Sequence, residues 1–432
     1  MALGGGTFLT QNKVLPGSYI NFVSLARANA TLSSRGFVAM PLELDWGVDN
    51  EVFTVTREDF QKDSLKIFGY AYTHEKLKGL RDLFLNANTL YAYKLTSGGV
   101  KASNTFATAL YSGIRGNDVA IIIQQNADDA LKFDVKTTID SKVVDEQTVA
   151  DATELVANDF VTFDSGAMLA VTASTPLTGG TNGTVDGTSH QAFINKIESY
   201  AFNTLGVVTT DDVTKGLYAG FVERMRDEIG QKFQVVLYNH PADYEGVINI
   251  KNKTSEDEAA LVYWVAGLNA GTEINQSNTN QLYDGEYTVD VDYTQTQLKD
   301  AVLAGEFVLH RVGDSQRVLK DINSFVSVTD EKGDVFKQNQ TIRVIDQIAN
   351  DIANLFNTKY LGKVPNDQSG RLSLWSDIVR HHEQLQDLRA IQDFSDDDVV
   401  ISEGDTKNSV LVGDSITITS TMEQLYMNVR IA

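Results

Sequence analysis

The order in which sequence patterns change along the chain is the feature that most restricts its fold. Between residues 189 and 328, helical segments alternate with short apolar strands, whereas residues 101–178 contain almost only short strands separated by Asp, Asn and Gly. Alternating helices and strands favour an α/β layer with a mainly parallel sheet. Short strands in series favour a small β-sandwich. The sequence therefore predicts an α+β multidomain protein with a central α/β domain and a β-sandwich insertion.

Five segments follow from these changes of pattern. A length of 432 residues is enough for about three domains. The Gly-rich stretch 177–183 is expected to be a hinge between two of them. The predicted segments are an N-terminal arm (1–27), an N-terminal α+β domain (28–100), the β-sandwich insertion (101–180), the α/β domain (181–328) and a C-terminal domain (329–432).

The C-terminal segment contains the clearest helix, at residues 339–360. An apolar stripe of isoleucines and one leucine recurs at helical spacing, and Asp346, Asn350 and Asp351 are expected on the opposite, solvent-facing side. A second helix is expected at residues 372–391. The α/β segment is expected to contain helices at 191–200, 210–230 and 255–270 and strands at 205–208, 233–237 and 307–312.

Composition excludes several classes of function. The chain has no Cys, so disulfides, thiolate metal sites and Cys nucleophiles are excluded. A formal charge of −22 argues against nucleic acid as the main partner, because phosphate binding needs a basic face. No apolar run approaches the length of a membrane span, and residues 1–10 do not resemble a signal peptide. We therefore expect synthesis in the cytoplasm and no direct membrane insertion.

The sequence contains no recognised catalytic or cofactor-binding motif. The six histidines form no H-E-x-x-H or similar ligand spacing, and no nucleophile elbow or phosphate-binding loop is present. His381 and His382 are adjacent on a predicted helix, so they are expected to point about 100° apart and to lie at a surface or interface. The sequence predicts no catalytic, cofactor-binding or metal-binding residues.

Both chain ends have the pattern of strands. At the C-terminus, four apolar residues alternate with Tyr426, Asn428 and Arg430, and a strand that exposed them would be an aggregation edge. The strand could complete its own domain's sheet, or it could be added to the sheet of a neighbouring subunit. Under the second interpretation, the intersubunit arms consist of Tyr19, Ile20, Phe22 and Val23 at the N-terminus and Leu425, Met427, Val429 and Ile431 at the C-terminus.

Seven stretches in series make the chain resemble a known family. It is similar to contractile tail sheath proteins of myophages and R-type bacteriocins, in the short form found in prophages of Gram-positive bacteria. The matching stretches are 14–22 (VLPGSYINF), 35–42 (RGFVAMPL), 113–118 (GIRGND), 177–183 (LTGGTNG), 317–323 (RVLKDIN), 339–346 (NQTIRVID) and 422–427 (MEQLYM).

The resemblance implies a structural role in a phage tail or tail-like particle. It implies a helical homopolymer of stacked hexameric rings around an inner tail tube protein, in contact with baseplate and tail terminator proteins. Contraction would then drive the tube through a bacterial envelope. The α/β domain of such proteins looks subtilisin-like, but no catalytic triad is visible here, so the fold is expected to be non-catalytic. The resemblance also implies that the terminal arms cross between subunits and that the C-terminal domain faces the tube.

Lys337, Arg343, Lys359 and Lys363 are basic positions on or near the 339–360 helix and are candidate contacts with an acidic tube, although ordinary helix-surface charge explains them equally well. The alternative functions are a type VI-like or other self-assembling sheath and a hydrolytic enzyme built on the α/β domain. Type VI sheaths are usually made from two chains, whereas this single chain has both arms.

Overall fold

The computed structural model describes residues 32–431 and divides them into two units. The larger unit contains Ser33–Asn350, Leu385–Asp393 and the residues from Ile416 onward. The smaller unit contains Asp351–Gln384 and Phe394–Ser415. The predicted N-terminal arm, residues 1–27, lies outside the described residues.

Strands are distributed over most of the described chain. In chain order they are β1 (Phe37–Leu42), β2 (Val52–Thr56), β3 (Thr89–Lys94), β4 (Ala107–Ala109), β5 (Val119–Gln125), β6 (Phe133–Ile139), β7 (Lys142–Val149), β8 (Val161–Phe163), β9 (Thr172–Pro176), β10 (Thr204–Gly206), β11 (Gln234–Tyr238), β12 (Val247–Ile250), β13 (Glu306–Phe307), β14 (Leu309–Val312), β15 (Ser315–Val318), β16 (Ile391–Gln392), β17 (Val399–Glu403), β18 (Val410–Asp414) and β19 (Thr417–Ile418).

Four of the described α-helices, those starting at Arg57, Gly187, Asp212 and Gln295, begin directly after a residue whose side chain caps the first turn. Thr56 caps the first helix by accepting from the Asp59 N–H, and the Asp59 carboxylate accepts from the Thr56 N–H in return, which is a capping box. In chain order the helices are α1 (Arg57–Phe68), α2 (Lys78–Phe84), α3 (Gly187–Ile197), α4 (Asp212–Arg224), α5 (Leu261–Gly271), α6 (Gln295–Leu303), α7 (Asn339–Leu355) and α8 (Gln368–Asp387), with one-turn π-helical extensions at Met225–Ile229 and Phe356–Tyr360.

A seven-stranded sheet organises the larger unit. Its strand order is β13-β12-β11-β10-β1-β3-β2, and every neighbouring pair is parallel except β2 with β3. The predicted mainly parallel sheet is therefore present. Strands β1–β3 come from the predicted 28–100 domain and β10–β13 from the predicted 181–328 domain. Both predicted segments therefore contribute strands to a single sheet.

Helices cover both faces of this sheet. Along β1, Val38 and Met40 belong to a core shared with α1, α2 and α5, whereas Ala39 belongs to a core shared with α3 and α4. The alternation follows from the two-residue period of a strand, which directs successive side chains to opposite faces. Two buried apolar layers therefore sandwich the sheet, which is the arrangement expected of parallel strands.

The insertion is built from antiparallel strands. A four-stranded sheet, β7-β6-β5-β9, and the pair β4-β8 enclose a core that includes Ile121, Ile123, Val135 and Val161. The Gly-rich stretch that leads out of it is closely packed and is not the loose hinge expected from its composition. The Gly183 N–H donates to Thr96 O at 2.8 Å, and a Cβ on Gly183 would lie 2.0 Å from Ser97 O.

The smaller unit consists of helical segments and a β-hairpin. Leu355, Leu374 and Ile378 form its core with Val399 of β17. Strands β17 and β18 pair antiparallel from Val399 opposite Asp414 to Glu403 opposite Val410. The sequence did not predict this hairpin, although two short β-branched runs separated by a polar segment with a glycine are a recognised hairpin signal.

Helix α7 differs from its predicted amphipathic form. Asp346 and Asp351, which were expected on a solvent-facing side, are both buried, whereas Ile345 of the predicted apolar stripe is only half-buried. In the larger unit, Asp346 accepts two hydrogen bonds from the Arg226 guanidinium at 2.6 and 2.8 Å. A buried charged pair thus replaces the solvent that the periodicity predicted on this face.

Candidate assembly interfaces

The C-terminal segment has no strand partner within the described residues. Strand β19 ends at Ile418, and residues 419–431 form no strand with any part of the chain that the structure describes. The side chains of Leu425, Met427, Val429 and Ile431 are between 70% and 94% exposed. The alternative that this segment completes the sheet of its own subunit is therefore not what the described residues adopt.

The start of this segment is held firmly. Gln340 Nε2 donates to Thr419 O at 3.0 Å, and Thr279 Oγ1 donates to the Glu423 carboxylate at 2.8 Å. Lys320 Nζ lies 3.6 Å from the same carboxylate. The chain is thus fixed as far as Glu423 and projects into solvent beyond it, which is the geometry of a tethered arm. We call residues 424–431 the C-terminal arm.

In the smaller unit, the β17–β18 hairpin has free strand edges of the kind to which an arm can be added. Within residues 32–431 neither strand has a second strand neighbour, so each keeps an outer edge of backbone N–H and C=O groups. Val400 and Leu411 are exposed on this hairpin. Beside it lies a groove of about 700 Å³, lined by apolar side chains that include Leu372 and Trp375 and by the charged Arg371 and Glu403.

The predicted N-terminal arm residues, Tyr19, Ile20, Phe22 and Val23, all lie outside the described residues. Their role in an intersubunit sheet stays a prediction. The smaller unit's hairpin has two free edges within the described chain. Two incoming strands, one on each edge, would therefore satisfy both.

One of the four candidate tube contacts is wrong. Arg343 is fully buried in the larger unit, where its guanidinium donates to Asp321 at 2.7 Å and to Asn269 Oδ1 at 2.9 Å. A buried side chain cannot meet a partner's surface. The ion pair with Asp321 explains why Arg343 can be buried here, because a buried guanidinium needs a carboxylate and further acceptors to offset its desolvation.

The three lysines remain accessible in different degrees. Lys337 is partly exposed and pairs with Asp334 at 2.8 Å, and Lys359 is partly exposed and bonded to the buried Asp377. Lys363 is exposed, and its ammonium donates to Thr358 O at 2.6 Å. Among the three, Lys363 therefore has the charge most available to a partner.

The described histidines do not form a recognised catalytic or metal arrangement. Residues 32–431 contain no group of three or more His, Cys, Asp or Glu side chains placed to hold a metal ion. His190 Nδ1 lies 2.8 Å from Tyr218 OH in a buried contact, and burial lowers the pKa of His190. His381 and His382, which were expected at a surface or interface, are instead fully buried in the smaller unit. No helix in the same range combines the length and apolarity needed to cross a bilayer.

Comparison with known proteins places this geometry in a family. Models of four consecutive sheath domains match the chain. They are the tail sheath protein Gp18 domain III N-terminal region at residues 35–95, the phage tail sheath β-sandwich domain at 97–182, the phage tail sheath central domain at 183–324 and the phage tail sheath C-terminal domain at 331–432. A solved sheath tail protein from Desulfitobacterium hafniense is 36% identical, with a TM-score of 0.83 over 96% of this chain and 100% of its own.

The chain belongs to the phage tail sheath family. The protein XkdK of the phage-like element PBSX in Bacillus subtilis is 33% identical over 99% of this sheath chain and 100% of its own. The helical sheath of the anti-feeding prophage in its contracted state shares the fold, with a TM-score of 0.55 over 96% of this chain and 98% of its own at 11% identity. The resemblance inferred from sequence is confirmed, and the protein is a component of a phage tail or tail-like particle.

Proposed function

We propose that this sheath protein polymerises by donating its C-terminal arm to a neighbouring subunit, and that the polymer contracts around an inner tube. The subunits would form stacked six-fold rings anchored at a baseplate and closed by a tail terminator. The contracted anti-feeding prophage sheath, which shares the fold, supports the contractile part of this proposal. The central α/β domain would serve as a subtilisin-like but non-catalytic scaffold.

One observation carries the proposal. Beyond Glu423 apolar and polar residues alternate, and the four apolar side chains of the arm are exposed, although the root of the arm is held by Thr279 and Lys320. Burying its four apolar side chains would be worth about 6–12 kcal/mol in gross free energy, at about 1.5–3 kcal/mol for each. In the isolated subunit these side chains remain in water. Burying them against a neighbouring subunit would therefore supply this stabilising free energy.

The β17–β18 hairpin of a neighbouring subunit is the acceptor we propose. An added strand would pair with a free edge through backbone hydrogen bonds worth about 1 kcal/mol net each. The exposed Val400 and Leu411 would pack against alternate side chains of the incoming arm. Such a link depends on backbone pairing within a sheet and not on the relative position of the subunit bodies, so it can persist while those bodies rotate past one another.

The test is polymerisation of arm variants followed by negative-stain electron microscopy. A variant with Asp at Leu425, Met427 and Val429 should remain a folded, soluble subunit that forms no striated cylinders. The matched control carries Asp at Tyr426, Asn428 and Arg430, which lie on the alternate face of the same strand, and should still polymerise. Removal of residues 425–432 should behave like the first variant.

Cylinders formed by the first variant or by the truncated chain would contradict strand donation. Equal loss in both Asp variants would show only that charge in this region is not tolerated, and would refute the one-sided register proposed here. Circular dichroism and sedimentation velocity establish that each variant is folded before its assembly is scored.

A further inference from the structure

Two adjacent histidines in the smaller unit make an unusual contact. His381 Nδ1 and His382 Nδ1 lie 3.3 Å apart, and both side chains have no exposed surface. Ideal helix geometry separates adjacent side chains by about 100°, so the two rings must turn toward each other from neighbouring positions. Their planes are inclined by 58° and their centroids are 5.3 Å apart.

The other nitrogen of each ring is held by a carboxylate. His381 Nε2 lies 3.1 Å from Asp351 Oδ2, and His382 Nε2 lies 2.8 Å from Asp414 Oδ2. An ionised carboxylate only accepts hydrogen bonds, so each Nε2 must carry a proton. In a neutral imidazole the second nitrogen is then an acceptor, and two acceptor lone pairs would be opposed across the 3.3 Å contact.

We propose that His381 and His382 share one proton between their Nδ1 atoms, so that the pair carries a single positive charge between two carboxylates. One ring is then an imidazolium that donates from Nδ1 and Nε2, and the other is a neutral imidazole that accepts at Nδ1. Every polar atom of both rings has a partner in this state, whereas two neutral rings would leave the buried Nδ1 contact repulsive.

The elements around the pair supply its charge environment. Asp351 comes from the end of α7, Asp414 comes from β18, and the ring of Phe394 lies 5.1 Å from that of His382. On α8 itself the nearest preceding carboxylate is Asp377, one turn before His381, and it is already bonded to Lys359 and Tyr360. The shared proton therefore supplies the positive charge that the Asp351 and Asp414 carboxylates face directly.

The pair, which lies on α8, consequently links three elements through one shared proton. It connects α7 through Asp351 and the β17–β18 hairpin through Asp414.

Solid-state NMR of protein labelled with ¹⁵N-histidine tests the proposal, since it applies equally to subunits and to polymers. At pH 7.5, where an exposed imidazole is mostly neutral, we expect three ring N–H protons on the two rings and a scalar coupling between the Nδ1 nuclei. The variants His381→Gln and His382→Gln assign the signals, and the exposed His74 provides an internal reference.

A charge-removing variant separates proton sharing from simple packing. Asp414→Asn keeps an acceptor for His382 Nε2 but removes one of the two negative charges that face the pair, so the Nδ1–H signal at pH 7.5 should weaken while the two Nε2–H signals persist. If that variant does not fold, the proton count in the unsubstituted protein still decides. Two rings with one N–H each at pH 7.5 would overturn the proposal, and so would one equivalent of tightly bound zinc, because a metal would occupy the place of the proton.

Discussion

Asp82 shows how burial of a single carboxyl alters the stability of the larger unit. It accepts hydrogen bonds from the Glu286 N–H at 2.8 Å and the Tyr283 hydroxyl at 3.1 Å, and its side chain is almost fully buried. Burial raises the pKa of Asp82 to about 6, although both hydrogen bonds favour the ionised form. A carboxyl with a raised pKa in the folded state binds its proton more tightly there than in the unfolded chain.

The replacement Asp82→Asn should therefore stabilise the protein at neutral pH. The contribution of Asp82 is most favourable below about pH 4 and is lost as the pH rises to about 6, because the folded state must then ionise a buried group. Asn does not ionise, so the variant does not lose this contribution to stability as the pH rises. Its free energy of unfolding should exceed that of the unsubstituted protein by about 2 kcal/mol above pH 6 and by little below pH 4. Urea unfolding between pH 4 and 8 measures the difference.

The exposed Asp128→Asn is the control for this series and should show no such pH-dependent gain. A constant difference across the pH range would mean that the substitution acts through packing and not through ionisation.

Which individual charges are buried could not be read from the sequence. Helical periodicity assigns a residue to a face, but whether that face is covered depends on elements far away in the chain. Arg343 is buried because Asp321 meets it, and Asp346 is buried because Arg226 lies across from it in a segment 120 residues earlier. Charge alone therefore misassigned Arg343 as a tube contact, and adjacency alone misassigned His381 and His382 to the surface.

At the scale of elements, the attachment of α7 in the larger unit depends on a buried ion pair. Arg226, in the π-helical turn after α4, makes two hydrogen bonds to Asp346 of α7 and a third to Phe233 O at 2.8 Å. The neighbouring carboxylate raises the pKa of Arg226 against the opposing effect of burial. Removing one member of such a pair leaves the other charge buried without a partner.

Arg226→Met should lower the free energy of unfolding by about 3–5 kcal/mol. The double variant Arg226→Met with Asp346→Leu should recover much of this loss, because no uncompensated charge remains. The exposed pair formed by Arg311 and Asp292 is the control, and Arg311→Met should change stability by less than about 1 kcal/mol. A double variant that is no more stable than Arg226→Met alone would contradict this explanation.

Elements with a clear period were predicted more closely than the pairings between them. The predicted strand 233–237 corresponds to β11 at Gln234–Tyr238, and the predicted helix 255–270 corresponds to α5 at Leu261–Gly271. The short strand β12 at Val247–Ile250 was missed, because four residues are too few to establish a period. Strand β1 lies between β3 and β10 in the sheet. This arrangement depends on long-range pairing, about which local sequence patterns carry no information.

At the scale of the whole molecule, the family could be identified from the order of seven short stretches. Each stretch reflects local requirements of the backbone or of packing. The order of the stretches along the chain reflects the fold as a whole. The division of the C-terminal third between two units could not be predicted, since residues 385–393 and 416–431 belong to the larger unit and the intervening Phe394–Ser415 to the smaller. Contiguous domains were assumed, whereas the chain passes repeatedly between the two units.

The net charge of −22 gives every subunit of a homopolymer the same sign, so any contact with an acidic tube requires local basic positions. We expect Lys363→Glu to block assembly of sheath on the tube while sparing assembly of sheath alone. A single exposed charge contributes about 0.5 kcal/mol. Repetition around a six-fold ring would raise the loss to about 3 kcal/mol per ring, and more where reversal of the charge adds repulsion.

Co-sedimentation of sheath with purified tube at low and high salt measures this effect. The loss caused by Lys363→Glu should shrink as the ionic strength rises, because salt screens exposed charges. Lys142→Glu, an equal change of charge at an exposed position of the β-sandwich insertion, is the matched control and should assemble on the tube normally. Lys359 is unsuited to this test, since a carboxylate there would face the buried Asp377 and destabilise the smaller unit. Unimpaired tube binding by Lys363→Glu at low salt would remove Lys363 from the interface and leave Lys337 and Lys359 as the remaining candidates.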